Sequence, residues 1–148
     1  MFSVQNPPAG MPRITPYLFY RDVPAARQWL ERVFGFEPKG EALEMEPGMF
    51  HAEMAYRDGF LMMGAPNEAR GGKDPGELTA IHQGLNVYVD DEDAHYRRVE
   101  AAGVETLTTP EEMFWGDRVD SVRDLEGHHW SFAQPVRDLA LQELAAGG

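Results

Sequence analysis

Apolar and polar positions follow two rhythms along this chain, and the rhythms recur in the same order twice. Residues 14–20 (ITPYLFY) are β-branched and aromatic, which predicts a strand. Behind them, Ala26, Trp29, Leu30, Val33 and Phe34 fall at i, i+3, i+4, i+7 and i+8. That spacing is the single apolar stripe of an amphipathic helix. Asp22 is a capping residue type, Pro24 sits where a first helical turn lacks a partner for its N–H, and Gly35 ends the stripe. Phe36–Leu43, Phe50–Arg57 and Phe60–Gly64 then read as strands, separated by the turn signals Pro47-Gly48 and Asp58-Gly59. The predicted unit is β-α-β-β-β.

The unit is repeated. YLFYRDVPAARQWLERVFGFE (17–37) parallels LNVYVDDEDAHYRRVEAAGVE (85–105), and RDGFLMM (57–63) parallels LEGHHWS (125–131). Gly35 and Gly103, Asp22 and Asp90, Ala26 and Ala94, Glu37 and Glu105, and Gly59 and Gly127 are all 68 residues apart. The second unit predicts a strand at 84–90, a helix at 91–102 and strands near 104–109, 117–123 and 128–134. Its helix is the less regular one, because this offset sets Arg97 and Arg98 against Trp29 and Leu30. The expected class is α+β, with two tandem β-α-β-β-β modules at 13–64 and 81–135. Residues 1–12 are expected to be loosely ordered, 65–80 to be a Gly/Pro-rich linker, and 136–148 a tail with a short amphipathic helix over 136–146.

Composition narrows the function classes. A chain of 148 residues is large enough for a real core. It has no cysteine, so disulfides and thiolate metal sites are excluded. The formal net charge of −12 argues against nucleic acid as partner and is compatible with a cationic ligand. The N-terminus has neither a basic start nor an apolar run, and no stretch approaches a membrane span. A cytoplasmic protein with no membrane partner is expected. No phosphate loop, catalytic-serine elbow or zinc-protease helix motif occurs.

The tandem pair and the segments HAEMAYRDGFLMMG (51–64), FWGDR (114–118) and VRDLEGHHWSFAQP (122–135) resemble the vicinal-oxygen-chelate superfamily, the glyoxalase/bleomycin-resistance/dioxygenase type of domain. The resemblance covers roughly residues 13–136. It implies a curved, cup-like mixed sheet around one metal, with His, Gln or Glu ligands on the first and last strand of each module. Carried onto this chain, those positions are Thr15, Met63, Gly84 (or Gln83, one residue earlier) and Ser131. Thr, Met, Gly and Ser do not make a divalent-metal site. The resemblance then implies a metal-free cup and no cofactor, as in the drug-sequestering branch. It also implies homodimers, with Met11, Met45, Met49 and Met113 as candidate interface residues.

Strand alternation selects the side chains that would line the cup. Phe50, Ala52 and Met54 read as core, which turns His51 and Glu53 the other way. Trp130 and Phe132 read as core, leaving His129 and Ser131. Leu85, Val87 and Val89 read as core, leaving Asn86 and Tyr88. Tyr17 and Phe19 share a face with Thr15. The candidate ligand-binding set is Tyr17, Phe19, His51, Glu53, Met63, Asn86, Tyr88, Trp115, Arg118, His129 and Ser131. Its aromatic members suit a planar or cationic ligand, or simply a filled core. His51 and Glu53 could act as acid and base or hold a displaced metal, or form a structural pair. Arg118 could anchor an anionic group or pair with Asp117 or a neighbouring strand. His128 and His129 face opposite ways, and His82 and His95 read as surface residues. The expected function is a metal-independent small-molecule-binding protein. The alternative is a lyase, isomerase or dioxygenase with ligands drawn from His51, Glu53, Gln83 and His129.

Overall fold

The computed structural model describes residues 4–138. The tail helix expected over 136–146 therefore lies almost wholly outside the described residues. Residues 4–12 carry neither strand nor helix, and a turn there is closed by the Met11 N–H donating to the Pro8 carbonyl at 3.0 Å. The chain divides into two compact units between Glu77 and Leu78.

The first unit holds β1 (Tyr17–Phe19), α1 (Val23–Trp29), β2 (Glu37–Glu46), β3 (Met49–Tyr56) and β4 (Gly59–Gly64). Its four strands lie in the order β1-β4-β3-β2, with β1 parallel to β4 and the other pairs antiparallel. The second unit holds β5 (Leu85–Tyr88), α2 (Glu92–Ala101), β6 (Thr106–Glu112), β7 (Asp117–Arg123) and β8 (His129–Pro135). Its order is β5-β8-β7-β6, with the same directions. Each unit is thus a β-α-β-β-β module in which the crossover helix lets the first strand run parallel to the last.

Local chemistry explains both helices. Asp22 accepts from the Ala25 N–H at 3.0 Å, and Asp91 accepts from the Ala94 N–H at 3.0 Å. The second cap is Asp91, one residue beyond the Asp90 that the 68-residue offset sets against Asp22. Both helices end on glycines in the left-handed region, Gly35 at φ 79° and Gly103 at φ 81°. The first helix therefore carries one residue more between cap and glycine. That residue is absorbed where Leu30–Phe34 winds as a π-helical turn. Aligned on the caps, Val99 stands where Leu30 stands, and both are fully buried. The second helix has an ordinary apolar contact after all, and its arginines sit outside it.

The core of each module lies between its helix and one face of its sheet. Leu18, Tyr20, Leu30, Phe34, Met54 and Met63 fill the first, and Val99, Val122, Trp130 and Phe132 the second. The stretch 38–50 belongs to a long antiparallel hairpin, with Gly48 at φ 79° in its turn. The stretch expected as a plain linker contains two short 3-10 turns, Glu68–Arg70 and Pro75–Glu77. It also buries Asp74 against Arg21 at 3.4 Å.

Candidate functional site

On each sheet, the face turned away from the helix is where side chains remain available. In the first module a row crosses all four strands through Tyr17, Met62, Glu53 and Lys39, each beside the next in register. In the second module the matching row is Asn86, Ser131, Ser121 and Thr108. The two rows differ in chemistry. The second is neutral and hydroxyl-rich, and its Thr108 and Ser121 hydroxyls are 2.9 Å apart in a hydrogen bond. The first carries charge and an aromatic ring.

Tyr17 organises the first row. Its hydroxyl and His51 Nδ1 share a hydrogen bond at 3.2 Å, and the two rings lie 5.7 Å apart. Phe19 follows on the same face at 5.8 Å from the Tyr17 ring. The phenol lies directly over Gly64. A Cβ at that position would sit 2.1 Å from the hydroxyl oxygen, so a side chain there displaces Tyr17. Burial raises the Tyr17 pKa, which keeps the phenol protonated. Glu53 lies in the middle of the row, and its Oε2 is buried with no hydrogen-bond partner among the described residues.

Met63 does not belong to this face. It is fully buried beneath α1, and Met62 holds the open position. The equivalence of the turn glycines is misleading here. In the first module Tyr56 pairs with Gly59, and Arg57 (φ 54°) and Asp58 make a two-residue turn. In the second, Arg123 pairs with His129 around a five-residue loop. Counting four residues from the glycine therefore lands on opposite faces of the two sheets, because side chains alternate with a period of two.

In the second module, Asn86, Tyr88, Ser131 and His129 take the expected face. Tyr88 is well exposed, and His129 Nε2 accepts from Arg123 Nε at 3.0 Å. His128 points the other way and is buried. Trp115 is half-exposed in the turn between β6 and β7, with its ring edge-on to Phe114 at 5.0 Å. Arg118 is not on the open face. Its Nε meets Asp93 of α2 at 2.9 Å on the helix-covered side, a partner different from Asp117. His95 is buried rather than superficial, with its ring 4.1 Å from that of Phe132. His82 is exposed.

Three buried carboxyl residues escape the hydrophobic pattern, in two places. Asp124 Oδ1 accepts the backbone N–H groups of Glu126, Gly127 and His128, and its Oδ2 accepts the Trp130 indole N–H, all at 3.0 Å. Turn composition in RDLEGHHW was the available signal for it. Glu92 and Asp120 meet in the second core, and nothing in a hydrophobic pattern announces a carboxyl pair there.

Among the described residues, no three His, Asp or Glu side chains converge as a metal would require. His51 and Glu53 supply two such groups on the first sheet. The second sheet's row supplies amide and hydroxyl groups, which suit hydrogen bonding to a neutral organic molecule.

Comparison with known proteins agrees with this architecture. An uncharacterised protein of Mycobacterium bovis is 31% identical over 139 residues, which span 91% of each chain. The crystal structure of TioX from Micromonospora sp. ML1 superposes with a TM-score of 0.63 at 30% identity, covering 83% of this chain and 98% of that one. TnmS3, an antibiotic binding protein from Streptomyces sp. CB03234, superposes with a TM-score of 0.65 at 22% identity, covering 80% of this chain and 91% of that one. A family profile matches residues 10–132, and with the duplicated β-α-β-β-β module it places the chain in the Glyoxalase/Bleomycin resistance protein/Dioxygenase superfamily.

Proposed function

We propose that this chain is a metal-independent small-molecule-binding protein that sequesters a planar, aromatic or cationic ligand through side chains on an open sheet face. The observation that carries the reading is the composition of the two register rows. Where the superfamily's enzymes would place metal ligands, this chain has Thr15, Met62, Gly84 and Ser131, a donor set that does not fit a divalent cation. What those faces offer instead is Tyr17, Phe19 and Tyr88 for stacking, and Asn86 and Ser131 for orientation. TnmS3, which shares the fold, is an antibiotic binding protein, and that likeness in fold supports a small-molecule ligand. The partner is a small molecule, with a second copy of the chain proposed alongside it. No helix among the described residues is long and apolar enough to cross a membrane, and a cytoplasmic location is proposed.

The test combines elemental analysis of protein purified without chelator with a calorimetric titration of cationic, planar antibiotics. Binding at a metal content near zero is expected. Near-stoichiometric zinc, nickel, iron or manganese would overturn the reading. One observation favours the alternative, an enzyme of the lyase, isomerase or dioxygenase kind. Tyr17 and His51 share a hydrogen bond that could hold or move a proton, and Glu53, two residues from His51 on the same strand, has an oxygen with no donor among the described residues.

A further inference from the structure

The repeat makes one feature of the second module conspicuous. Aligned on the caps and the strand register, Glu92 stands where the first module has Val23, and Asp120 stands where it has Ala52. Val23 and Ala52 are buried, as expected for a helix packed on a sheet. Glu92 and Asp120 are just as deeply buried, at 0% and 1% exposure. The fold therefore does not demand carboxyl groups at this seam, since its sister copy does without them.

Two carboxylates cannot both be ionised in such a place. Taken as anions, their four oxygens find no hydrogen-bond donor among the described residues. With one proton between them they hydrogen-bond to each other, and a buried pair sharing a proton has a partner for each group. A hydrogen bond from Glu92 favours the ionised form of Asp120, and the Asp120 charge in turn raises Glu92, which leaves the proton on Glu92. We infer that Glu92 and Asp120 form a shared-proton site that ties the first turn of α2 to β7 and makes the stability of the second module proton-dependent.

The surrounding charges are consistent with this assignment. On α2, the Asp91 carboxylate is engaged at the Ala94 N–H, Asp93 is paired with Arg118, and His95 lies one turn on against Phe132. On β7, Arg118 is the nearby cation and lowers the Glu92 pKa, but it is bound to Asp93, whose charge raises it. On β6, Glu112 is bound to Arg137 at 2.6 Å. On β8 the facing group is the neutral Gln134, whose Oε1 accepts the Glu92 N–H at 2.9 Å. Burial, then the Asp120 charge, holds the Glu92 carboxyl at about 9, against an ordinary 4.5. The folded state thus binds a proton that the unfolded chain releases, so the stability this site contributes is fully present below about 4.5 and is lost as pH rises towards about 9.

The test is thermal unfolding of the full chain between about pH 7 and pH 9, above the ordinary imidazole range. Wild type is expected to lose roughly 3–5 °C of Tm per pH unit. Glu92→Gln removes the titrating group but keeps its shape, and the double variant Glu92→Val, Asp120→Ala copies the first module. Both are expected to lose that slope. Parallel slopes in wild type and both variants would overturn the proposal. If neither variant folds, the carboxyl carbon resonance of Glu92 in isotopically labelled wild type decides. Titration near the ordinary glutamate range overturns the proposal, and a carboxyl still protonated above about pH 7 supports it.

Discussion

At the residue scale, the contact between Tyr17 and Gly64 does most to shape the open face of the first sheet. The phenol reaches His51 only because position 64 has no side chain. Gly64→Ala is therefore expected to swing Tyr17 away and break its bond to His51. The module should remain folded, because the displaced atoms are the end of a side chain rather than backbone. Ligand affinity should fall about tenfold or more in Gly64→Ala and in Tyr17→Phe, measured by calorimetry, with Tm changed by only a few degrees. Equal affinity in wild type and both variants would remove Tyr17 from the site. Asp124 is the opposite case, a residue whose role is structural. It satisfies three backbone N–H groups and the Trp130 indole at once. Asp124→Ala strands these buried donors and is expected to cost about 3 kcal/mol or more in denaturant unfolding. Trp130→Phe removes one of the four bonds and should cost about 1–2 kcal/mol.

At the scale of elements, periodicity carried most of the architecture. The alternation around Ala52 and Met54, and around Trp130 and Phe132, was enough to assign core and open faces, because strand period leaves only two choices. The helix caps and terminal glycines were equally legible. What periodicity could not supply was register. A single offset of 68 fits the glycines and the third strands, but the caps and the first and last strands align at 69. One residue is absorbed in the π-helical turn at Leu30–Phe34, and the hairpin loops differ in length. That one-residue difference is why Met63 was expected on the open face when Met62 occupies it. It is also why the offset sets Asp90 against the capping Asp22 when Asp91 is the cap. Arg118 was misplaced for another reason, since its ion pair with Asp93 depends on how α2 lies over β7, which no local pattern encodes. The corrected register makes its own prediction. Asp22→Ala and Asp91→Ala should each cost about 1 kcal/mol, since each removes the side-chain acceptor for a first-turn N–H. Urea unfolding of the two variants is the check, and an unaffected Asp91→Ala would restore the simpler offset.

For the whole molecule, duplication has left two modules of one topology with different surface chemistry. The first concentrates aromatic and ionisable groups at Tyr17, His51 and Glu53, and the second presents a neutral row from Asn86 to Thr108. A protein that only binds can tolerate this division, because binding energy is gathered from stacking and hydrogen bonds wherever they occur. A metalloenzyme cannot, since its ion needs several strong donors converging on one point. The two cases separate in how the intact chain responds to chelator and to ligand. For a metal-independent binder, dialysis against chelator should leave Tm unchanged, because no folded-state ligand is removed. A planar ligand at about a hundred times its Kd should add about 2.7 kcal/mol of stability, a rise of roughly 5–10 °C in Tm. That rise should be the same with and without chelator. A chelator-dependent fall in Tm, restored by one particular divalent ion, would instead assign His51 and Glu53 to a metal and return the chain to the enzymes of its superfamily.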